Sequence, residues 1–257
     1  MEKKLKSWQG WLLFGGTMVV VFVLGMIAAS VNERHAEVTS VMNNRKTEIT
    51  GIEARNDKFE PNYPREYQTW EATADTSFKS LYNGNQAVDV LEARPEMVIL
   101  WAGYAFSKDY STPRGHMHAI EDMRNTLRVG APMTENEGPQ PATCWTCKSP
   151  DVPRMMQAMG VDNFYKGKWA SLGKEIMNPI GCADCHEPEN MNLHISRPAL
   201  IEAFQRQGKD ITKATQQEMR SLVCAQCHVE YYFKGDGKYL TFPWDKGSTV
   251  EDLSLIH

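Results

Sequence analysis

The most apolar stretch of this chain lies close to its N-terminus. Residues 11–30 run for twenty positions without a charged side chain, shortly after the basic segment MEKKLKS. A membrane-spanning helix needs about 20 apolar residues, whereas the apolar core of a cleaved export signal has about 7–15. Length therefore favours an anchor in the inner membrane, while the small residues Ala28, Ala29 and Ser30 favour cleavage. In both cases the lysines stay in the cytoplasm and the chain beyond residue 30 is exported to the periplasm.

The pattern changes after this apolar segment. Residues 31–76 are polar, contain Pro61 and Pro64, and show no clean periodicity, which predicts a linker and surface segment that wraps the next domain. From Ser77 to Phe106 apolar residues cluster, and they predict two helices separated near Pro95.

Apolar residues recur at helical spacing in the rest of the chain. They predict a helix from Met117 to Arg128, ended by Gly130 and Pro132. Capping residues predict three more helices: from Ser149-Pro150 to about Met159, from Ser196 to near Gly208, and from the capping box Thr215–Glu218 towards Cys224. Little of the chain alternates with a period of two, so we expect a mainly α fold with long irregular connections.

The composition limits the classes of partner. The formal net charge is -4 and no basic stripe is present, which argues against nucleic-acid binding. The hydrophobic content of 42% is slightly low for a globular chain. That value suits a protein whose core is partly filled by an apolar cofactor, although ordinary core packing explains any single Met or Trp equally well.

All six cysteines lie in three related pentapeptides. These are Cys144-Trp-Thr-Cys147-Lys148, Cys182-Ala-Asp-Cys185-His186 and Cys224-Ala-Gln-Cys227-His228. Cys-x-x-Cys-His is the attachment motif of c-type haem: the two thiols bond to one porphyrin and the histidine binds its iron. The three pentapeptides therefore predict covalently bound haem c.

Lys148 occupies the place of the histidine in the first pentapeptide. A lysine ammonium group has no lone pair, so it binds a metal only after losing its proton. An iron held by this amine, with nothing bound opposite, is open to a small ligand. We therefore interpret Lys148 as the marker of a reaction centre, and His186 and His228 as ligands of haems that transfer electrons.

Two other chemistries use Cys-x-x-Cys pairs. A Cys₄ zinc site uses two pairs, so three pairs would leave one over. A redox-active dithiol of the thioredoxin kind belongs to a βαβ pattern, which the neighbouring sequence lacks. Haem is the preferred interpretation of all three motifs.

These motifs together resemble the ammonia-forming pentahaem cytochrome c nitrite reductases. The likeness covers about Tyr110 to Glu251, and the Lys148 motif is its most specific part. It is also carried by Pro113-Arg-Gly-His116, by Thr126-Leu-Arg-Val-Gly-Ala-Pro132 and by Cys227-His-Val-Glu-Tyr-Tyr-Phe233. The resemblance implies a multihaem cytochrome c domain over residues 77–252 that reduces nitrite to ammonium.

The resemblance also assigns individual residues. It implies that Lys148 is the proximal ligand of the active-site haem, with Arg128 and Tyr231 as catalytic residues. It makes Glu230 and the carbonyl of Tyr231 calcium ligands, and His116 the distal ligand of the haem bound by His228.

Each assignment has a simpler alternative in the sequence alone. Arg128 is then a helix-end cation, Tyr231 an aromatic residue packed on a porphyrin, and Glu230 a solvated charge. His118 and His194 match no site of the family and are interpreted as structural residues, and His35 as part of the linker.

The chain departs from the family in several ways. It has three haem motifs where the family has five, and it lacks the active-site histidine and further calcium ligands. Residues 253–257 are predicted to be a non-native tail on a truncated sequence. We accordingly expect the 257-residue chain alone to be a poor or inactive reductase.

Two other functions stay open. One is another multihaem enzyme, of the octahaem nitrite or tetrathionate reductase type, and the other is a non-catalytic electron carrier. For a nitrite reductase, the resemblance implies a membrane-bound tetrahaem quinol dehydrogenase as electron donor and a homodimer of the full-length protein.

Overall fold

The structure is a computed structural model that describes residues 6–79, 81, 85–129, 140–247 and 249–253. The chain divides into two units, residues 1–46 and residues 47–257. The predicted helix end at Gly130 and Pro132, and residues 254–257 of the predicted tail, lie outside the described residues.

Helices dominate the described residues, and the prediction of a mainly α fold is confirmed. The α-helices are α1 (Ser7–Asn43), α2 (Pro64–Glu71), α3 (Val90–Ala93), α4 (Glu96–Leu100), α5 (Ala119–Asn125), α6 (Asp151–Met159), α7 (Val161–Lys166), α8 (Trp169–Leu172), α9 (Cys182–Cys185), α10 (Pro198–Arg206), α11 (Gln216–Ala225) and α12 (Val250–Leu253). The strands are β1 (Tyr232–Lys234) and β2 (Tyr239–Thr241). Short 3₁₀ helices join many of them, including Ala142–Cys147 at the first cysteine motif.

The first unit is built on the long helix α1. Its segment Ser7–Ser40 is long and apolar enough to cross a membrane, and an 18-residue stretch within it has a mean hydropathy of 2.4 and no burial within the chain. An export signal has the same position and composition. Helix α1 continues past residue 30 to Asn43 and includes His35, so the first part of the predicted linker is helical. Residues 31–43 contain neither Gly nor Pro, so nothing in them interrupts the helix.

The core of the second unit is centred on two tryptophans. Trp145 and Trp169 are fully buried and stack with ring centres 5.3 Å apart and planes 3° apart. The Trp145 Nε1–H group donates to the Trp169 carbonyl at 2.9 Å. Because Trp145 lies between Cys144 and Cys147, the core holds the backbone of the first cysteine motif in place.

Most of the predicted helices are found. Helices α3 and α4 lie on either side of Pro95, and α6 ends at Gly160, whose positive φ of 84° suits glycine. The capping box of α11 forms as predicted between Thr215 and Glu218. The prediction that Ser196 caps α10 is wrong: the helix begins at Pro198, and the Ser196 hydroxyl donates to the Asp184 carbonyl instead.

A short hairpin follows the third cysteine motif. Strands β1 and β2 are antiparallel, with Phe233 opposite Leu240. Three-residue strands give too little alternation to be read from a sequence, and we did not predict them. The hairpin begins directly after Tyr231 and so fixes the chain direction beyond that residue.

Candidate functional site

Each cysteine motif forms a tight helical turn. The amides of His186 and His228 donate to the carbonyl of the first cysteine of their own motif at 2.9 and 2.8 Å, and the Lys148 amide donates to the Trp145 carbonyl at 2.9 Å. Such turns bring two thiols three residues apart to one side of the backbone. All six thiols are free, which leaves them available for porphyrin attachment.

Burial shapes the reactivity of these thiols. It raises the pKa of Cys144, Cys182 and Cys185 to about 11. For Cys144 the nearby charges of Lys148 and Arg128 oppose that rise. The thiols are therefore protonated at neutral pH and behave as small apolar groups until they react.

The second motif is held by the segment that precedes α2. The Asn56 side chain accepts a hydrogen bond from the Cys182 amide and donates one to the Pro179 carbonyl, both at 3.0 Å. The Trp70 indole donates to the Ile180 carbonyl at 2.8 Å. Part of the region predicted as a linker and surface segment is thus a buried support for a cysteine motif.

His186 is oriented by a backbone contact. Its Nδ1 lies 2.8 Å from the Met191 carbonyl oxygen, which requires a proton on Nδ1. Metal-binding histidines commonly donate their second ring N–H to a carbonyl, because this fixes the tautomer and the ring orientation. Met191 itself has a positive φ of 61°. This arrangement leaves Nε2 of His186 as the nitrogen that can bind iron.

The structure brings His116 and His228 together from distant parts of the sequence. Their ring centres are 6.1 Å apart. Two imidazoles bound on opposite sides of one metal, with metal–nitrogen bonds of about 2.0 Å, place their ring centres about 6 Å apart. Burial first, and then the His228 charge, lowers the pKa of His116, which favours the neutral ring that binds metals. The pair therefore fits an iron held between the two rings.

The first and third motifs meet through their second cysteines. The interaction between these two thiols raises the pKa of Cys227 well above its usual value and lowers that of Cys147. The two haem-attachment turns are therefore close neighbours, as a chain of electron-transferring groups requires.

Arg128 and Tyr231 both lie beside the first motif. The Arg128 guanidinium carbon lies 5.1 Å from the centre of the Phe106 ring and 6.0 Å from that of Tyr110. Burial raises the pKa of Tyr231, the thiols of Cys147 and Cys144 raise it further, and the Arg128 charge opposes the rise. Nε of Arg128 is buried and has no hydrogen-bond partner among the described residues.

The predicted calcium ligands are not gathered into a site by the described residues. Glu230 is exposed, and within the described ranges no group of three or more His, Cys, Asp or Glu side chains is placed to hold a metal ion. The assignment of Glu230 and the Tyr231 carbonyl to calcium stays a prediction.

The two remaining histidines differ from each other. His118 contacts Glu121 at 3.3 Å and the Ala74 carbonyl at 3.0 Å, as suits the structural role assigned to it. His194 has a buried Nε2 with no hydrogen-bond partner in the described part of the chain, and burial lowers its pKa.

Sequence reasoning missed one residue that contacts all three motifs. Arg197 is fully buried and forms hydrogen bonds with Thr146, Asp184 and Ser149. Its backbone amide donates to the Gln226 side chain at 3.1 Å. An arginine just before a helix has no distinctive sequence signal, so only the folded structure shows this role.

Comparison with known proteins places the chain among the cytochromes. A family model described as Cytochrome c552 matches residues 55–256. Relatives named Cytochrome c-552 are 98% identical in Parabacteroides distasonis and 77% identical in Bacteroides thetaiotaomicron, over 100% of this chain and 52% of each relative. A relative of the same name in Aliarcobacter butzleri is 48% identical over 95% of this chain and 49% of its own length.

A solved structure gives the same result. The catalytic subunit of cytochrome c nitrite reductase from Desulfovibrio desulfuricans, described with two calcium sites, superposes with a TM-score of 0.71 at 32% identity, over 80% of this chain and 47% of that one. This chain spans about half the length of the relatives it matches. The resemblance read from the cysteine motifs is confirmed, and the chain belongs to the cytochrome c552 family.

Proposed function

We propose that this chain is part of a periplasmic enzyme that reduces nitrite to ammonium, with Lys148 as a ligand of the active-site iron. The observation that carries the proposal is the Cys144-Trp-Thr-Cys147-Lys148 motif, whose Cys144 lies near enough to Arg128 and Tyr231 for charge on it to interact with both side chains. The similarity to a cytochrome c nitrite reductase supports the same chemistry.

The cofactor is haem c, attached through the three cysteine pairs of this chain. Lys148, His186 and His228 would bind the haem irons, and His116 would be a further ligand of the iron bound by His228, since the two rings lie 6.1 Å apart. When bound, the haems would relay electrons one at a time from an external donor to nitrite, which takes up six electrons and eight protons to form ammonium and two waters. Three motifs in this chain imply three haems here.

Arg128 provides the charge that attracts nitrite. A guanidinium presents its N–H groups in a planar fork, which matches the two oxygens of a small anion. The rings of Phe106 and Tyr110 lie against this fork and limit its orientations. Arg128 thus binds and orients the substrate and stabilises negative charge that develops on its oxygens.

Tyr231 provides a proton donor on the same side. Because burial raises the pKa of Tyr231 above its usual value, the hydroxyl remains protonated throughout the neutral range. It can therefore donate a hydrogen bond, and then a proton, to an oxygen of the substrate. The Arg128 charge opposes this rise in the pKa of Tyr231.

The remaining components follow from the family. Glu230 and the Tyr231 carbonyl contribute to a calcium site, since oxygen atoms are the ligands calcium prefers. A membrane-bound tetrahaem quinol dehydrogenase donates electrons, and the full-length protein is a homodimer. The apolar helix α1 exports the chain or anchors it to the inner membrane.

Nitrite binding and spin state test the proposal. The haem-loaded protein should stain for covalent haem on a denaturing gel and show a high-spin signal in paramagnetic resonance that changes on nitrite addition. Arg128→Gln should weaken the nitrite response, whereas Arg55→Gln, at an exposed arginine paired with Asp57, should not. Uniformly low-spin haems with no nitrite response would make the chain an electron carrier instead.

A further inference from the structure

The buried side chain of Arg197 joins the first two cysteine motifs. Its Nε donates to the Thr146 carbonyl at 2.7 Å, and one terminal nitrogen donates to the Ser149 carbonyl at 2.8 Å. The same nitrogen donates to the Asp184 carboxylate, which lies inside the second motif. Thr146 and Ser149 lie on either side of Cys147 and Lys148, so the guanidinium is hydrogen-bonded to the backbone on both sides of the proposed active-site ligand.

The third motif joins the same cluster through Gln226. Its side-chain oxygen accepts hydrogen bonds from the amides of Ser196 and Arg197 at 3.0 and 3.1 Å. Its side-chain nitrogen donates to the Asp184 carbonyl at 2.8 Å. Gln226 is also buried, with 1% of its surface exposed.

The three contacted motif residues occupy equivalent positions. Thr146, Asp184 and Gln226 each directly precede the second cysteine of their motif. A single residue outside the motifs therefore contacts the same position of all three turns. Such a contact fixes the turns relative to one another, because a displacement of any of them breaks a buried hydrogen bond.

The cluster also places two opposite charges beside the predicted haem-attachment positions. Arg197 and Asp184 form a buried ion pair, with 0% and 3% of their surfaces exposed, and the motif residues that Arg197 contacts each directly precede a cysteine. Groups attached to these cysteines would lie in the field of both charges, and water screens a buried pair much less than an exposed one.

We propose that Arg197 is a positioning residue shared by the three haem motifs, and that its buried ion pair with Asp184 tunes the reduction potentials of the haems attached there. This rests on the haem attachment in the proposed function and not on nitrite as the substrate. A nearby positive charge favours the reduced state, in which the haem carries one more electron, and a carboxylate disfavours it.

Redox titration of the haem-loaded protein tests the charge argument. Arg197→Gln should lower the midpoint potential of at least one haem, and Asp184→Asn should raise it. The double variant should lie closer to wild type than either single variant. Shifts of the same sign in the two single variants, or no shift in either, would overturn the proposal, because loss of packing alone has no dependence on the sign of the removed charge.

A conservative variant separates charge from position. Arg197→Lys keeps the positive charge but not the planar fork, so the potentials should stay near wild type while the thermal midpoint falls. If Arg197→Gln does not accumulate as folded protein, the potentials of Asp184→Asn and Arg197→Lys still test whether the buried charges set the haem potentials. If the potentials of Arg197→Lys are close to those of Arg197→Gln and not to those of wild type, the role of charge is contradicted.

The matched control is Arg206→Gln. Arg206 ends the helix that Arg197 precedes and pairs with Asp245 at 2.8 Å, but its side chain is 39% exposed. This variant should leave the potentials unchanged. None of these measurements uses nitrite, so a protein whose haems give no high-spin signal and no response to nitrite, yet show the opposed shifts, would refute the proposed function and leave this inference standing.

Discussion

The imidazole rings of His116 and His228 face each other at 6.1 Å between centres. One follows Gly115 in a 3₁₀ turn before α5, and the other follows α11 directly after Cys227. The two segments share no neighbouring sequence, so folding alone brings the rings to the spacing of two ligands on one metal. Electron transfer through such a haem needs little rearrangement, since both ligands stay in place.

Replacing His116 should therefore change the spin state of one haem. In His116→Ala the iron bound by His228 loses its second strong ligand and should change from low spin to high spin. Absorption and paramagnetic resonance spectra of the haem-loaded protein report this change. His35→Ala, in the exposed part of α1, is the control and should leave both spectra unchanged. An unaltered low-spin signal in His116→Ala would remove His116 from the ligand set.

The ring of Phe106 should contribute to nitrite affinity through Arg128. Phe106→Leu removes the aromatic face that lies 5.1 Å from the guanidinium carbon. A cation–π contact at a partly exposed site contributes about 0.5–1 kcal/mol, so we expect the nitrite dissociation constant to rise about two- to fivefold. Spectroscopic titration measures this, with Phe78→Leu as a control at an exposed phenylalanine. Equal affinities in the two variants would show that the ring does not position Arg128.

Local signals explain which parts of the fold were predictable. The capping box at Thr215 and the glycine after α6 act within one turn of their helices, so the sequence alone determines them. Helix α1 continues beyond position 30 through polar residues that predicted a linker, because polarity by itself does not end a helix.

Contacts between residues far apart in the sequence could not be predicted from these local signals. The hydrogen bonds of Asn56 to the second motif and of Arg197 to all three join residues far apart in sequence, and neither residue type signals its partner. Arg128, Tyr231 and His116 were assigned only through the resemblance to nitrite reductases. The structure places Arg128 and Tyr231 beside the first motif and His116 opposite His228, but their catalytic and ligand roles stay predictions.

Asp151 should be a major contributor to stability near the Lys148 motif. It is 3% exposed and accepts hydrogen bonds from the amides of Met177 and Asn178 at 2.8 and 2.9 Å, and from the Ser149 hydroxyl at 3.1 Å. Alanine would leave these donors without their acceptor, so we expect the free energy of unfolding to fall by about 1–3 kcal/mol.

Chemical denaturation of Asp151→Ala measures this loss. The control is Asp162→Ala, because Asp162 is an exposed aspartate in the first turn of α7. The Asp162→Ala substitution should change the free energy of unfolding by no more than about 0.5 kcal/mol. A similar small effect for Asp151→Ala would mean that water replaces the carboxylate at these donors.

Tyr239 should make stability depend on pH in the alkaline range. Its hydroxyl donates to the Glu202 carboxylate at 2.8 and 2.9 Å, and burial first, then this hydrogen bond, raises its pKa. The folded pKa lies above the unfolded value of about 10, so the stabilisation is complete below about pH 10 and is lost as the pH rises towards the folded pKa.

The Tyr239→Phe variant isolates this contribution. It should be less stable than wild type at pH 8, and the difference should shrink as the pH is raised from 10 to 11, because only the wild type loses the interaction. Tyr165, whose ring centre lies 4.7 Å from that of Tyr239, titrates in both proteins and largely cancels in the difference. Urea denaturation at each pH gives the two curves, and Tyr104→Phe, at a residue that is 68% exposed, should run parallel to wild type. If the stability difference between wild type and Tyr239→Phe also stays constant with pH, the Tyr239 hydroxyl is not hydrogen-bonded to Glu202 in solution.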